Sequence, residues 1–109
     1  MEPVEQLEIV TTQDPYGLRL SGEIDMASAP ALHQAIVVAM TAGRPITLDM
    51  REVTFIDSSG LKVIVASASE APPDVPLTLK DPSSVVRRVL ELFGMEHVPQ
   101  IRVVGGEGG

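Results

Sequence analysis

Leu48-Asp49-Met50-Arg51-Glu52-Val53-Thr54-Phe55-Ile56-Asp57-Ser58-Ser59-Gly60-Leu61-Lys62-Val63-Ile64-Val65 lies at the middle of the chain, and the rest is arranged around it. It opens as a short apolar strand, crosses a charged loop and reaches Asp57-Ser58-Ser59-Gly60. Leu61, Ile64, Val65 and Ala68 then recur at i, i+3, i+4 and i+7, which predicts a helix. Asp57 or Ser58 would cap it, since either side-chain oxygen can accept from the free N–H groups of the first turn. Ser58 thus falls where backbone donors and the helix dipole favour negative charge, and a hydroxyl there is a candidate for modification. The plainer reading is a cap with no further role. Against it, a cap needs one hydroxyl or carboxylate, whereas Asp57, Ser58 and Ser59 stand together. Gly60 also costs roughly 0.5–1 kcal/mol against Ala inside a helix, which implies a close approach to the backbone.

The chain has 109 residues, enough for one domain with its own core. Hydrophobic residues make up 44% and aromatic residues 3%, so aliphatic side chains must fill that core. The net charge of −7 argues against nucleic acid or an anionic membrane as partner, because both are bound through Lys and Arg. Without cysteine there is neither a disulfide framework nor a thiolate metal site. The acidic start Met1-Glu2-Pro3-Val4-Glu5 does not resemble a signal peptide, and apolar runs such as Ala35 to Met40 are too short to span a bilayer. A soluble cytoplasmic protein is expected.

Leu7, Ile9 and Thr11 alternate with polar residues as a first strand; Gln13 to Gly17 is a turn cluster. Leu18, Leu20 and Ile24 continue as a second strand, completing an antiparallel hairpin. Ser28 or Asp25 starts a helix whose buried face is Leu32, Ile36, Ala39 and Met40, with Gly43 as its stop. Pro45 to Met50 is the third strand. The helix after Asp57 ends at Ala71-Pro72-Pro73. Val75, Leu77 and Leu79 give a fourth strand. Asp81-Pro82 reads as a helix cap followed by proline, with Val86, Val89, Leu90 and Phe93 facing inward and Gly94 as the stop. Val98 to Val103 is the last strand. The four later methionines, Met26, Met40, Met50 and Met95, are read as core filler.

The order β-β-α-β-α-β-α-β predicts an α/β fold: a mixed, mostly parallel sheet of four to five strands, with helices mainly on one face. Residues 1–104 would form the domain, and Gly105 to Gly109 a disordered Gly-rich tail. Functional loops in such sheets leave the carboxyl ends of strands. If the strands ending at Ile24 and Met50 run parallel, Asp25 and Ser58 share that edge.

Leu20-Ser21-Gly22-Glu23-Ile24-Asp25, Ile46 to Met50, and Val53 to Leu61 together resemble the STAS family, specifically the bacterial anti-sigma factor antagonists. Val85 to Gly94 resembles the last helix of that family. The resemblance covers nearly the whole chain and implies a STAS-like fold. It implies that Ser58 is a phosphoacceptor and that Asp25 lies beside it, with Asp57, Ser59, Gly60 and Leu61 completing the partner-binding surface. The implied partners are an anti-sigma factor with serine kinase activity, bound while Ser58 is unphosphorylated so that a sigma factor is freed, and a serine phosphatase that reverses the switch. No cofactor is implied.

A phosphoserine adds about −1.5 to −2 charge at pH 7, next to Asp57. A partner shaped for a neutral hydroxyl would then meet a dianion while the free fold stays unchanged.

Other chemistries fit less well. Ser59-Gly60-Leu61-Lys62 matches S-x-x-K, but no Lys-Thr-Gly or Ser-Asp-Asn element accompanies it, and neither His33 nor His97 has a spacing that suggests a triad. Asp25, Asp49 and Asp57 follow no metal-ligand spacing. The chain is therefore read as a non-enzyme. The remaining alternative is a constitutive STAS module of a stress-signalling or lipid-transport complex in which Ser58 is never phosphorylated. Lys62 has no role in either reading beyond that of a solvated lysine.

Overall fold

The computed structural model describes residues 6–106. The elements in chain order are β1 (Leu7–Gln13), β2 (Tyr16–Ile24), α1 (Ala29–Met40), β3 (Ile46–Ile56), α2 (Ser58–Glu70), β4 (Leu77–Lys80), α3 (Ser84–Leu92), a 3₁₀ turn (Met95–His97) and β5 (Ile101–Val104). The five strands lie in the order β1-β2-β3-β4-β5, with β1 antiparallel to β2 and every later pairing parallel. This is the α/β, mostly parallel arrangement expected from the alternation of strands and helices.

Each β-α-β crossover steps one strand in the same direction, and right-handed crossovers that do so put every helix on the same face. Burial follows that geometry. Leu18, Leu20, Ile24, Ile46, Leu48, Met50, Leu77 and Leu79 point into the helical layer and are buried. On the opposite face Arg19, Asp49 and Lys80 lie side by side on neighbouring strands, with Thr47 beside Thr78 one step away. The open face is polar because no helix covers it.

β3 departs from the expected Pro45–Met50 strand. It runs on to Ile56 through residues expected to be a charged loop. Its pairing with β2 shifts twice, between Arg19 and Ser21 and again between Gly22 and Glu23. At each shift β3 carries one residue more than its partner, so it has two bulges. They move its buried positions from Leu48 and Met50 to Val53 and Ile56, which erases the two-residue alternation.

Further expectations are corrected. The cap of α3 is Ser83, whose Oγ accepts from the Val86 N–H at 3.3 Å; Asp81 stands clear of the helix at φ 54°. Phe93 is 61% exposed, because α3 ends at Leu92 and Gly94 turns the chain away at φ 65°. Met26, expected in the core, is 78% exposed, although Met50 and Met95 are buried. The fourth and fifth strands also begin later than expected: Val75 is buried in a turn, its N–H donating to Pro72, and β5 starts at Ile101.

The first two residues of the Gly-rich segment are tied down. The Gly106 N–H donates to Asp81 at 2.9 Å, and Arg87 donates to the Gly105 carbonyl. Residues 107–109 lie outside the described residues. Among the described residues no helix is long and apolar enough to cross a membrane.

Candidate functional site

β2 and β3 are parallel and end level, Ile24 opposite Ile56, so the chains leaving them emerge on one edge. The Asp57 N–H donates to the Ile24 carbonyl at 3.1 Å and stitches the two exits together. The loop carrying Asp25 and the loop carrying Ser58 are therefore neighbours.

Of the two cap candidates for α2, the structure selects Asp57. Its backbone is extended, and its Oδ1 accepts from the Ser59 N–H at 2.8 Å and more loosely from Gly60 at 3.4 Å. Ser58 is then the first residue of the helix. It is exposed, and its hydroxyl has no hydrogen-bond partner within the described residues. Capping thus falls to Asp57, and the adjacent Ser58 is left exposed.

Gly60 is buried, and the atom that crowds it belongs to the protein itself. A Cβ there would collide with the Ile24 side chain and sit 3.0 Å from Cγ1 of Ile56. The close approach inferred from sequence is the packing of α2 on the ends of β2 and β3. Leu61 is 4% exposed and belongs mostly to the core. Gly60 and Leu61 hold the turn, leaving Ser58 and the half-buried Asp57 and Ser59 nearer the surface.

Asp25 is engaged by its own loop. Its Oδ1 accepts from the N–H groups of Ala27 at 3.0 Å and Ser28 at 3.1 Å. Ser28, only 7% exposed, accepts at Oγ from the Asp25 N–H at 3.0 Å and donates to the Glu23 carbonyl at 2.8 Å. Ser28 sits at the N-cap position of α1 without a side-chain cap bond, so the side-chain bonding at this helix start comes from Asp25. Asp25 shares the edge with Ser58 but makes no hydrogen bond to it among the described residues.

Two features go beyond the expectations from sequence. An open, mainly apolar depression runs from Ser58 past Leu61, Lys62 and Val65 to Phe93, Met95 and Val98. Exposed Phe55, at the end of β3, and exposed Met26, in the Asp25 loop, add apolar surface. The signal for the first was present in α3, where Phe93 follows Leu92 at the helix end and both cannot face inward.

The histidines lie elsewhere: His33 faces Glu70 at 3.6 Å across α1 and α2, and His97 faces Glu96 at 3.8 Å. Among the described residues no group of three or more histidines and carboxylates could hold a metal ion.

The sheet order defines the fold, and comparison with known proteins gives the family. The family described as "Mlab, STAS domain" matches residues 8–104, and the chain belongs to this STAS-domain family. Within it, the chain is similar to the anti-sigma-F factor antagonist RsfB of Mycobacterium tuberculosis, at 34% identity over 92 residues, covering 80% of this chain and 75% of that protein. It is 32% identical over 96 residues to the anti-sigma-B factor antagonist of Listeria monocytogenes, covering 86% and 84%. The crystal structure of an anti-sigma factor antagonist from Mycobacterium paratuberculosis superposes with a TM-score of 0.74 at 28% identity, covering 88% and 83%.

Proposed function

We propose that this protein is an anti-sigma factor antagonist switched by phosphorylation of Ser58. In its unphosphorylated form the Asp25–Ser58 edge binds an anti-sigma factor, and the sigma factor held by that partner is released. The partner is also the kinase. The Ser58 hydroxyl oxygen bonds to the γ-phosphorus of the partner's ATP as the bond to the β-phosphate oxygen breaks. The hydroxyl proton passes to a base, and ADP leaves. A serine phosphatase hydrolyses the phosphoserine and returns the protein to its binding form. The protein itself carries no catalytic residue in this cycle and works in the cytoplasm.

The observation that carries this reading is the division of labour at the start of α2. Asp57 satisfies the helix N–H groups, so the exposed Ser58 hydroxyl is free to react, and its loss costs the fold little. The names of the relatives support the antagonist role. Incubation with the cognate anti-sigma factor and ATP, followed by intact mass and peptide mapping, tests it. One phosphate on Ser58 is expected, with none on the Ser58→Ala protein. Phosphate on Ser59, or phosphorylation that persists in Ser58→Ala, overturns the assignment. Equal affinity of phosphorylated and unphosphorylated protein for the partner would instead favour a constitutive module.

A further inference from the structure

Lys62 is the residue the switch leaves unused. It lies in the first turns of α2, where a cation opposes the helix dipole. Among the described residues no carboxylate lies within ion-pair distance of it. It is exposed, and it lines the same depression as Ser58. The spacing is i, i+4, one turn apart on the same helix face. Long side chains on a helix lean back towards its N-terminus, so the Lys62 ammonium covers the turn that begins with Ser58. An anion placed N-terminal to a lysine at this spacing is the favourable order of the pair.

Resting on the reading that Ser58 is phosphorylated, we infer that Lys62 is the intramolecular counter-cation of the phosphoserine. In the unphosphorylated protein its head is free at the rim of the depression. Phosphorylation draws it onto the new dianion. The modification therefore acts twice on this surface: it adds negative charge at Ser58, and it withdraws the only cation that α2 offers a partner, Glu70 being its other charged residue. No new bond or proton transfer is needed beyond the phosphorylation itself.

The test needs neither kinase nor partner. Phosphoserine is incorporated at position 58 during translation in the wild type, Lys62→Met and Lys62→Arg, and each is titrated by ³¹P NMR. The second ionisation of a phosphoserine lies near pH 6. Lys62→Met should raise it by about 0.3 of a pH unit relative to wild type, and Lys62→Arg should restore the wild-type value. The difference should shrink at about 1 M salt, where the screening length falls to about 3 Å. The same titration midpoint in wild type and Lys62→Met, or a difference indifferent to salt, overturns the pairing. Lys62 is exposed, so both variants should fold, which a thermal melt checks. The two readings fail separately. Absence of kinase-dependent phosphate on Ser58 would remove the switch while the NMR titration still reports the pair.

Discussion

Asp57-Ser58-Ser59-Gly60 and Asp81-Pro82-Ser83-Ser84 are close relatives in composition, and both lead from a strand of the same sheet into a helix. At the first, the aspartate caps α2 and a serine is left exposed. At the second, Ser83 caps α3 and the aspartate is turned outward, its Oδ2 accepting from Arg51 at 2.9 Å and its Oδ1 from Gly106 at 2.9 Å. The difference lies in what the neighbouring strands bring up. Both aspartates are fixed through the N–H, Asp57 to the Ile24 carbonyl and Asp81 to that of Val104, but at the second corner β3 and the segment after β5 also supply a guanidinium and an N–H that draw the Asp81 side chain away. One corner leaves a hydroxyl exposed and without a hydrogen-bond partner among the described residues. The other uses its polar groups to tie β3 to the segment after β5.

The largest effect should follow from charging the first corner. Two unit charges about 5 Å apart at an effective dielectric of about 20 interact by roughly 3 kcal/mol, about a hundredfold in affinity. Ser58→Asp should therefore weaken binding to the anti-sigma factor at least tenfold after screening, while Ser58→Ala still binds. The melting temperatures of both should stay close to wild type, because Asp57 keeps the cap. Titration calorimetry and thermal melts on the same samples check both halves. A collapse of stability in Ser58→Ala would show that this corner is structural, like the other.

Gly60→Ala comes next. Alanine is the better helix former by roughly 0.5–1 kcal/mol, but its methyl would meet Ile24, which is fully buried and cannot swing aside. Overpacking typically costs about 1–3 kcal/mol, so the clash outweighs the propensity gain. Chemical denaturation should show a loss of stability. A gain would mean that α2 can slide off the strand ends, and with it the presentation of Ser58.

The caps should differ more modestly. Asp57→Ala should cost about 1 kcal/mol, which is roughly 4–8 °C in melting temperature for a domain of this size. Ser83→Ala should cost less, since its single bond is 3.3 Å long while Asp57 holds Ser59 at 2.8 Å. Equal losses would remove the distinction between a tight cap that frees a neighbour and a loose one that frees nothing.

These two corners also show what the amino-acid order could and could not convey. The strand–helix alternation survives because each helix has its own apolar stripe and each connection its own turn residues. The Ser58 corner is legible because Asp57 capping and Ser58 exposure are local, and a glycine inside a helix signals a close approach even though the side chain it meets, Ile24, is distant in sequence. The second half of β3 was not legible. Its two bulges space Met50, Val53 and Ile56 three apart, a period belonging to neither a plain strand nor a charged loop. Asp81 escapes a local reading for a different reason: its partners, Arg51 and Gly106, lie 30 and 25 residues away, beyond any local signal. The depression beside Ser58 joins α2 to the end of α3, and only the fold brings those segments together.

The smallest effect tests the second corner through pH. The Gly106 N–H, and next the Arg51 guanidinium, hold the Asp81 carboxyl below its usual range. Arg51 is shifted upward in turn, mainly by its hydrogen bond to Asp81 and then by the nearby charge of Asp49. A carboxylate whose pKa is depressed by folding stabilises the fold above its unfolded pKa, about 3.9. That contribution disappears as pH falls through the lower folded value. Arg51 is well exposed, so water and salt screen the pair and the effect should be small. Melting temperatures measured from neutral pH down to about pH 2 should therefore fall slightly more steeply in wild type than in Asp81→Asn, with the curves converging at the acid end. A chain ending at Val104 loses the Gly106 N–H, the larger of the two influences, and should reproduce most of the Asp81→Asn behaviour. Parallel curves for all three proteins would mean that the contact between Asp81 and Gly106 does not hold the corner in solution.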